Sequence, residues 1–161
     1  MSTIAERTAV LTGETAISDF YGIQDIGVEE EGLRDEPSPW DCPPLGSGEW
    51  VATSPNIVRP KTSPGAALCI CCEGWDEEPP DDGSWPHVWT GEIYLSTGRI
   101  SALSMTGGYI HRNWVLDLGR RATTWRVRIR RKFLDNDREP LFPRDIYQVD
   151  LYMLQFWPQS T

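Results

Sequence analysis

The chain has 161 residues and a formal net charge of −9, a size that suits one domain with one hydrophobic core. Apolar residues make up 39%, but eight Trp, five Tyr and four Phe supply large side chains that can fill a small core. A charged fraction of 24% is ordinary for a folded protein, so we expect a folded chain. We expect a single domain over residues 1–161.

The charge is divided unevenly along the chain. Residues 1–90 hold 17 acids and 4 bases, whereas residues 91–161 hold 7 acids and 11 bases. The two halves can neutralise each other within one fold, which is the more ordinary outcome, or leave an acidic surface for a basic partner.

The sequence carries no sign of export or membrane insertion. Glu6 and Arg7 interrupt the N-terminal segment, which lacks the apolar stretch of a secretory signal. No segment approaches the ~18 apolar residues of a membrane span. Four cysteines without a signal indicate free thiols, so we expect a cytoplasmic protein without membrane contact.

The first third of the chain is expected to be mostly irregular. Residues 1–15 are predicted to be a loosely attached start, and residues 16–25 a first strand. Residues 28–48 are rich in acids, Pro and Gly, which predicts a long acidic surface loop. Residues 28–36 could form one short helix within it.

Residues 49–158 are predicted to form the β core. Short apolar segments alternate there with turn residues, and Ser96-Thr97-Gly98 predicts a hairpin. About eight or nine short strands at regular spacing favour an all-β, mainly antiparallel β-sandwich, with a barrel as the alternative.

Two segments have informative patterns. Residues 124–134 alternate strictly between apolar and basic side chains, which is typical of a half-buried strand. The inward set is Trp125, Val127 and Ile129, and the outward set is Arg126, Arg128 and Arg130. Residues 151–157 are apolar on both faces, which predicts a central strand or one over which a loop closes.

The outward arginines belong to a longer basic run that could follow a nucleic-acid backbone and that also includes Arg120, Arg121, Arg131 and Lys132. The alternative is a solvated face that pairs with acids such as Asp137, Glu139 and Asp150. A net charge of −9 disfavours attraction to a polyanion, so nucleic acid is not the expected partner.

Residues 72–89 combine six acids with three Trp, a composition that suits a protein-binding surface. The candidate partner-binding residues are Trp75, Asp76, Glu77, Glu78, Asp81, Asp82 and Trp85. The alternative is a plain connecting loop whose Trp rings cover the core edge. Calcium is disfavoured because the usual loop spacing is absent and Pro79-Pro80 stiffens the middle.

No metal, cofactor or catalytic residue is expected. On a strand, Cys69 and Cys71 face one side and Cys72 the other, so they do not converge on zinc, even with Cys42 or His87 added. With only two His and no known nucleophile or phosphate-loop motif, a set such as Cys71, His111 and Asn113 has no geometric support. An enzyme with an unfamiliar site ranks last.

Residues 75–158, about half the chain, carry the motifs WDEEPPDDGSW, STGRIS, LDLG, WRVRIRRK and VDLYMLQFWP. They resemble a mostly uncharacterised family of small bacterial, actinobacterial-type β-sandwich proteins. That family is broadly similar to competence protein J, a nuclease inhibitor, and to immunity proteins of toxin systems. The resemblance implies a β-sandwich, and its motifs read as structural; the acidic loop at 28–48 has no counterpart.

We therefore expect a non-enzymatic binding protein, an immunity-like inhibitor that neutralises a bacterial toxin carrying a basic patch. The alternative is a structural or adaptor subunit of a bacterial or phage assembly or defence complex, docked through strand edges. Neither reading fixes the oligomeric state.

Overall fold

The computed structural model describes residues 3–11, 20–38, 45, 48–61, 67–81, 83–104, 108–109, 115–134 and 149–159. Those residues form eleven strands and one short helix, which confirms the all-β prediction. In chain order the elements are β1 (Thr3–Leu11), β2 (Phe20–Asp25), α1 (Gly27–Glu30), β3 (Val51–Ser54), β4 (Ile57–Pro60), β5 (Ala67–Trp75), β6 (His87–Leu95), β7 (Arg99–Ser104), β8 (Gly108–Tyr109), β9 (Leu116–Asp117), β10 (Thr123–Leu134) and β11 (Val149–Pro158).

The strands form two sheets. Sheet A has the order β1-β5-β11-β10-β6, and sheet B has the order β3-β4-β2-β7-β8, with β9 also paired with β7. The pairs are antiparallel except β5 with β11, which is parallel. The mainly antiparallel prediction is confirmed.

The core lies between the two sheets. Trp125, Val127 and Ile129 of β10 are fully buried there, as their alternation predicts. They share one cluster with Ile23 and Val58 of sheet B. Burying large apolar side chains in this cluster is the main force that holds the sheets together.

Strand β11 is central in sheet A and buried on both faces. Tyr152 and Phe156 belong to the core cluster. Met153 and Trp157 point the other way, because neighbouring residues of a strand alternate, and they are also buried. Another segment of the chain must therefore pack on the outer face of sheet A, as the apolar pattern of residues 151–157 indicates.

The N-terminal segment differs from its prediction. Instead of a loose start, Thr3–Leu11 forms an edge strand that pairs with β5 along most of its length. The local sequence does not show this strand, because β1 is ordered by backbone pairing to a strand about sixty residues away. The predicted strand at 16–25 is observed as Phe20–Asp25, and residues 16–19 lie outside the described part.

The acidic loop predicted at 28–48 is described only in part. Its first residues, 28–30, belong to α1, and turns continue to residue 36. Glu30 and Glu31 form ion pairs with Arg99 and Arg121, at 2.6 and 2.8 Å. The helical start of this segment is thus tied to the first residue of β7 and to a residue just before β10.

The predicted hairpin at Ser96-Thr97-Gly98 is wrong. Strand β6 lies in sheet A and β7 in sheet B, so this turn crosses between the sheets. The backbone N–H groups of Thr97 and Gly98 donate to Asp25 Oδ2 at 2.7 and 2.9 Å. The turn is therefore directed by a buried carboxylate on β2 and not by a neighbouring strand.

Candidate functional site

The outer face of sheet A carries the arginines of β10, and two of them are not solvated. Arg128 and Arg130 are only 5% and 4% exposed, whereas Arg126 is partly exposed. The prediction of a solvated arginine face is therefore wrong for two of its three members. Alternation places these side chains on the outer face correctly, but it does not show what covers that face.

Residues 76–81, here called the acidic segment, cover Arg128. Its Nη1 donates to the Pro79 carbonyl at 3.1 Å, and its Nη2 to Glu78 Oε1 at 3.1 Å. The guanidinium also lies 5.2 Å from the centre of the Trp157 ring, within range of a cation–π interaction. One side chain thus joins the segment to both β10 and β11.

Arg130 holds the next part of the acidic segment. Its Nη2 donates to the Pro80 carbonyl at 3.2 Å and to Asp81 Oδ1 at 3.4 Å. Proline lacks an N–H group but keeps a carbonyl acceptor, so Pro79-Pro80 offers two acceptors on a stiff backbone. Charge-assisted hydrogen bonds of this kind are stronger than neutral ones.

A buried row of polar side chains continues from Arg128 across three strands. Arg128 Nη1 lies 3.5 Å from Gln155 Oε1, and Gln155 Nε2 donates to Glu73 Oε1 at 2.9 Å. Trp75 Nε1 donates to the same Glu73 oxygen at 3.1 Å. Because Gln155 relays between a cation and an acid, the row satisfies polar groups that would otherwise be costly to bury.

The acids of the segment remain exposed although two of them are anchored. The Glu78 and Asp81 side chains are 66% and 56% exposed, while their arginine partners are 7% and 4% exposed. Asp76 and Glu77 are exposed as well. The described part of the segment therefore presents four predicted site residues together on one surface; Asp82 lies outside the described residues.

The two predicted tryptophans, Trp75 and Trp85, lie just before and after this surface, and both pack against the rest of the protein. Trp85 is buried, with 7% of its surface exposed, and the Lys132 ammonium lies 4.5 Å from its ring centre. Trp75 is half-buried and bonded to Glu73. Little of the Trp85 ring is left for a partner to contact.

The two cysteines whose side chains are described, Cys71 and Cys72, lie within the protein interior. Cys71 and Cys72 are free, buried and on opposite faces of β5, as predicted. Burial raises the pKa of the Cys72 thiol well above its ordinary value, and nearby Cys71 and Glu73 add to the effect. The Cys69 side chain, Cys42, His111 and Asn113 lie outside the description.

The described residues contain no group of three or more His, Cys, Asp or Glu arranged to hold a metal ion. No helix in the described part of the chain is long and apolar enough to span a membrane.

Sequence reasoning missed a cleft of about 480 Å³ beside the free edges of the two sheets. Its lining residues are Gly48, Glu49, Trp50, Val51, Ala52, Thr53 and Trp89. Both Trp rings are partly buried against the core cluster. Trp89 extends over Gly91, where a Cβ would lie only 2.3 Å from the far end of the ring. The sequence feature that could have indicated this cleft is the Trp89-x-Gly91 spacing, because a glycine two residues along a strand leaves room for the ring on the same face.

A second missed feature is a buried polar junction at one end of the sandwich. Asn56, with a positive φ of 72°, donates from its side chain to the Pro37 carbonyl and to Ser96 Oγ, both at 2.9 Å. Ser96 Oγ in turn donates to Glu36 Oε2 at 2.9 Å. This junction joins the acidic residues after α1 to both sheets, and its role is structural.

Comparison with known proteins places the fold. No family model and no curated protein matches the chain. The solved structure of ComJ, an inhibitor of the DNA-degrading activity of NucA, from Bacillus subtilis, is 9% identical, with a TM-score of 0.55 and 98% of each chain covered. The product of crocagin biosynthetic gene J is 15% identical, with a TM-score of 0.48 and 99% and 100% covered. The chain is thus broadly similar in fold to competence protein J, as its motifs imply.

Proposed function

We propose that the protein is a non-enzymatic inhibitor that binds a basic protein, of the kind represented by a nucleic-acid-degrading toxin, through its acidic segment. The observation that carries this proposal is the anchoring of the segment. Arg128 and Arg130 are nearly buried beneath it, while its carboxylates face solvent.

Anchoring matters because binding requires a loop to be ordered. A free acidic loop loses conformational entropy when it meets a partner, which weakens the complex. Here contacts from Arg128 and Arg130 to Pro79 and Pro80 restrain the backbone before any partner arrives. The stiff Pro-Pro step reduces the remaining freedom. The segment is therefore a preorganised acidic surface.

Charge supports the choice of a basic partner. The chain carries a formal net charge of −9, and opposite net charges accelerate association at low salt. Glu78 and Asp81 pair with arginines, and the exposed side chains of Asp76 and Glu77 add negative charge to the same surface. The fold resemblance to ComJ, itself a nuclease inhibitor, points in the same direction, although fold alone does not set function.

A second candidate, an adaptor subunit of a bacterial or phage assembly or defence complex, is supported by free sheet edges. Strands β1 and β6 end the order of sheet A, and β3 ends that of sheet B. Unpaired strand edges can dock neighbouring chains. In that case the retained partners would be structural proteins, and no enzyme activity would be inhibited.

The test is co-purification from the native host followed by an activity assay. Tagged wild-type protein and the Asp76→Asn/Glu77→Gln variant serve as baits, and retained proteins are identified by mass spectrometry. We expect one basic protein that is lost at high salt and with the variant, and whose activity falls in proportion to added wild-type protein. Retention of assembly components with no change in activity favours the adaptor. Failure to find a salt-sensitive basic partner contradicts the acidic-segment proposal.

A further inference from the structure

The edge of β6 offers backbone hydrogen-bonding groups beside the aromatic cleft. Strand β6 pairs with β10 on one side and ends the strand order of sheet A on the other. Its far end is already bonded across that edge, because Asn56 N donates to Tyr94 O at 2.8 Å. This bond shows which residues of β6 point outward.

The N–H and C=O groups of successive residues in a strand point towards opposite edges, so those of every second residue point towards the same edge. Tyr94 directs its carbonyl away from β10. The residues two, four and six positions before it on β6 do the same, and they are Glu92, Thr90 and Val88. Their N–H and C=O groups therefore point away from β10, on the side where no other described strand pairs with β6. Val88 is also the one exposed large hydrophobic residue among the residues of described burial, at 43% exposure.

The cleft lies at this edge, on the core-facing side of β6. Trp89 forms one wall, and residues 48–53, which include Glu49 and Trp50, form the other. The rings of Trp50 and Trp89 provide flat apolar walls, and Glu49 is exposed at the rim. Indole faces near a carboxylate attract a guanidinium or ammonium group by cation–π and ionic interactions.

We propose that an extended basic segment of a partner protein adds to the edge of β6 at Val88–Glu92 and inserts an arginine or lysine side chain into the cleft. Main-chain hydrogen bonds give such a complex its affinity, and the pocket for an alternate side chain gives its specificity. The proposal rests on the proposed function only in that the occupant is a protein; it uses a surface other than the acidic segment.

The occupant is basic and not apolar for two reasons. The first is that the carboxylate side chain of Glu49 lies exposed at the rim of the cleft. The second is that the whole chain is acidic, which attracts a cationic segment from a distance. A second copy of this chain would bring another acidic surface to the same edge.

The test uses a blocked heptapeptide with a central Arg flanked by Thr and Val, which favour extended backbone. Binding to the full-length protein is followed by amide NMR shifts. We expect saturable shifts at Val88, Thr90 and Glu92, and about threefold or greater weakening when citrulline, which is neutral and of similar shape, replaces the Arg. Equal affinity for both peptides would overturn the cationic occupant.

Edge addition is tested separately. Thr90→Pro removes an outward N–H group without touching the bonds to β10, and Pro is accepted on edge strands for this reason; Thr90→Ala keeps the N–H and is the matched control. We expect the proline variant alone to lose peptide binding. A peptide N-methylated on its pairing amides gives the same result without altering the protein. Shifts absent from β6, or unaffected by N-methylation, would overturn the proposal.

Two further variants separate this inference from the proposed function. Asp76→Asn/Glu77→Gln is expected to bind the peptide as the wild type does, because the acidic segment is not part of the cleft. Gly91→Ala should weaken peptide binding, since its Cβ would displace the Trp89 ring. Loss of peptide binding in the acidic-segment variant would contradict the assignment to the cleft and leave the acidic-segment proposal standing.

Discussion

Arg128 and Glu78 form a 3.1 Å ion pair in which the guanidinium is nearly buried and the carboxylate is mostly exposed. The pair joins residues fifty positions apart and closes the acidic segment over the outer face of sheet A. Because the exposed partner remains in water, the pair costs less desolvation than a fully buried one. It fixes an acidic surface without hiding its charge.

Arg128→Met is expected to destabilise the protein by about 2–3 kcal/mol, because it leaves the Pro79 carbonyl and Gln155 without their donor. Urea unfolding measures the loss. Amide hydrogen exchange should also become faster in the acidic segment.

Arg126→Met is the matched control, two residues away on the same face of β10. Arg126 pairs with Glu92 at 3.3 Å, and both side chains are more than a third exposed. We expect a loss under about 1 kcal/mol there. Equal losses for the two variants would mean that burial under the segment contributes nothing.

Trp157→Ala is expected to destabilise by roughly 3–5 kcal/mol, the usual loss for a large buried aromatic. Trp157 is 5% exposed and stacks against Arg128. Trp75→Ala, at a half-buried position, should cost less. A loss under about 1 kcal/mol for Trp157→Ala would show that the end of β11 is peripheral.

Cys72 is expected to stay unreactive in the native protein. Burial raises its pKa, so the thiolate that reacts with alkylating agents is scarce up to alkaline pH. Labelling with iodoacetamide, located by mass spectrometry, should proceed only as fast as the protein unfolds. Rapid labelling in urea is the positive control. Rapid labelling of Cys72 without urea would show that β5 is open to solvent.

Glu31 is expected to titrate below its ordinary pKa of 4.5, chiefly because the Arg121 guanidinium hydrogen-bonds its carboxylate. A lowered folded-state pKa stabilises the fold above the unfolded value, and the contribution is lost as pH falls through the lowered pKa. Side-chain NMR titration measures the midpoint.

Arg121→Gln should return the Glu31 midpoint towards 4.5, whereas Arg120→Gln, one residue away, should leave it unchanged. A wild-type midpoint at or above 4.5 would contradict the ion pair at 2.8 Å.

The sequence predicts what is local and misses what is distant. Strict alternation assigns β10 and its inward residues, and the doubly apolar pattern places β11 at the centre of sheet A. The same alternation cannot show that Arg128 is covered, because its partners lie about fifty residues away. The turn at Thr97 looks like a hairpin locally, but a carboxylate 72 residues distant directs it between the sheets.

The candidate site follows the same division. Composition alone identifies the acidic segment, since clustered acids and Trp are visible in one stretch of sequence. It cannot separate Trp85, which is buried, from Glu77, which is exposed. The cleft was missed because its walls are distant in sequence: Trp50 lies just before β3 of sheet B, and Trp89 lies on β6 of sheet A.

The most direct test of the acidic-segment proposal is the affinity of the co-purified basic partner for Asp76→Asn/Glu77→Gln, measured by calorimetry at several salt concentrations. Glu29→Gln/Asp35→Asn removes the same charge from exposed positions after the start of α1 and is the matched control. We predict at least about tenfold weaker binding and a shallower salt dependence for the first variant only. Unchanged affinity for that variant, or equal loss for both, would contradict the proposal.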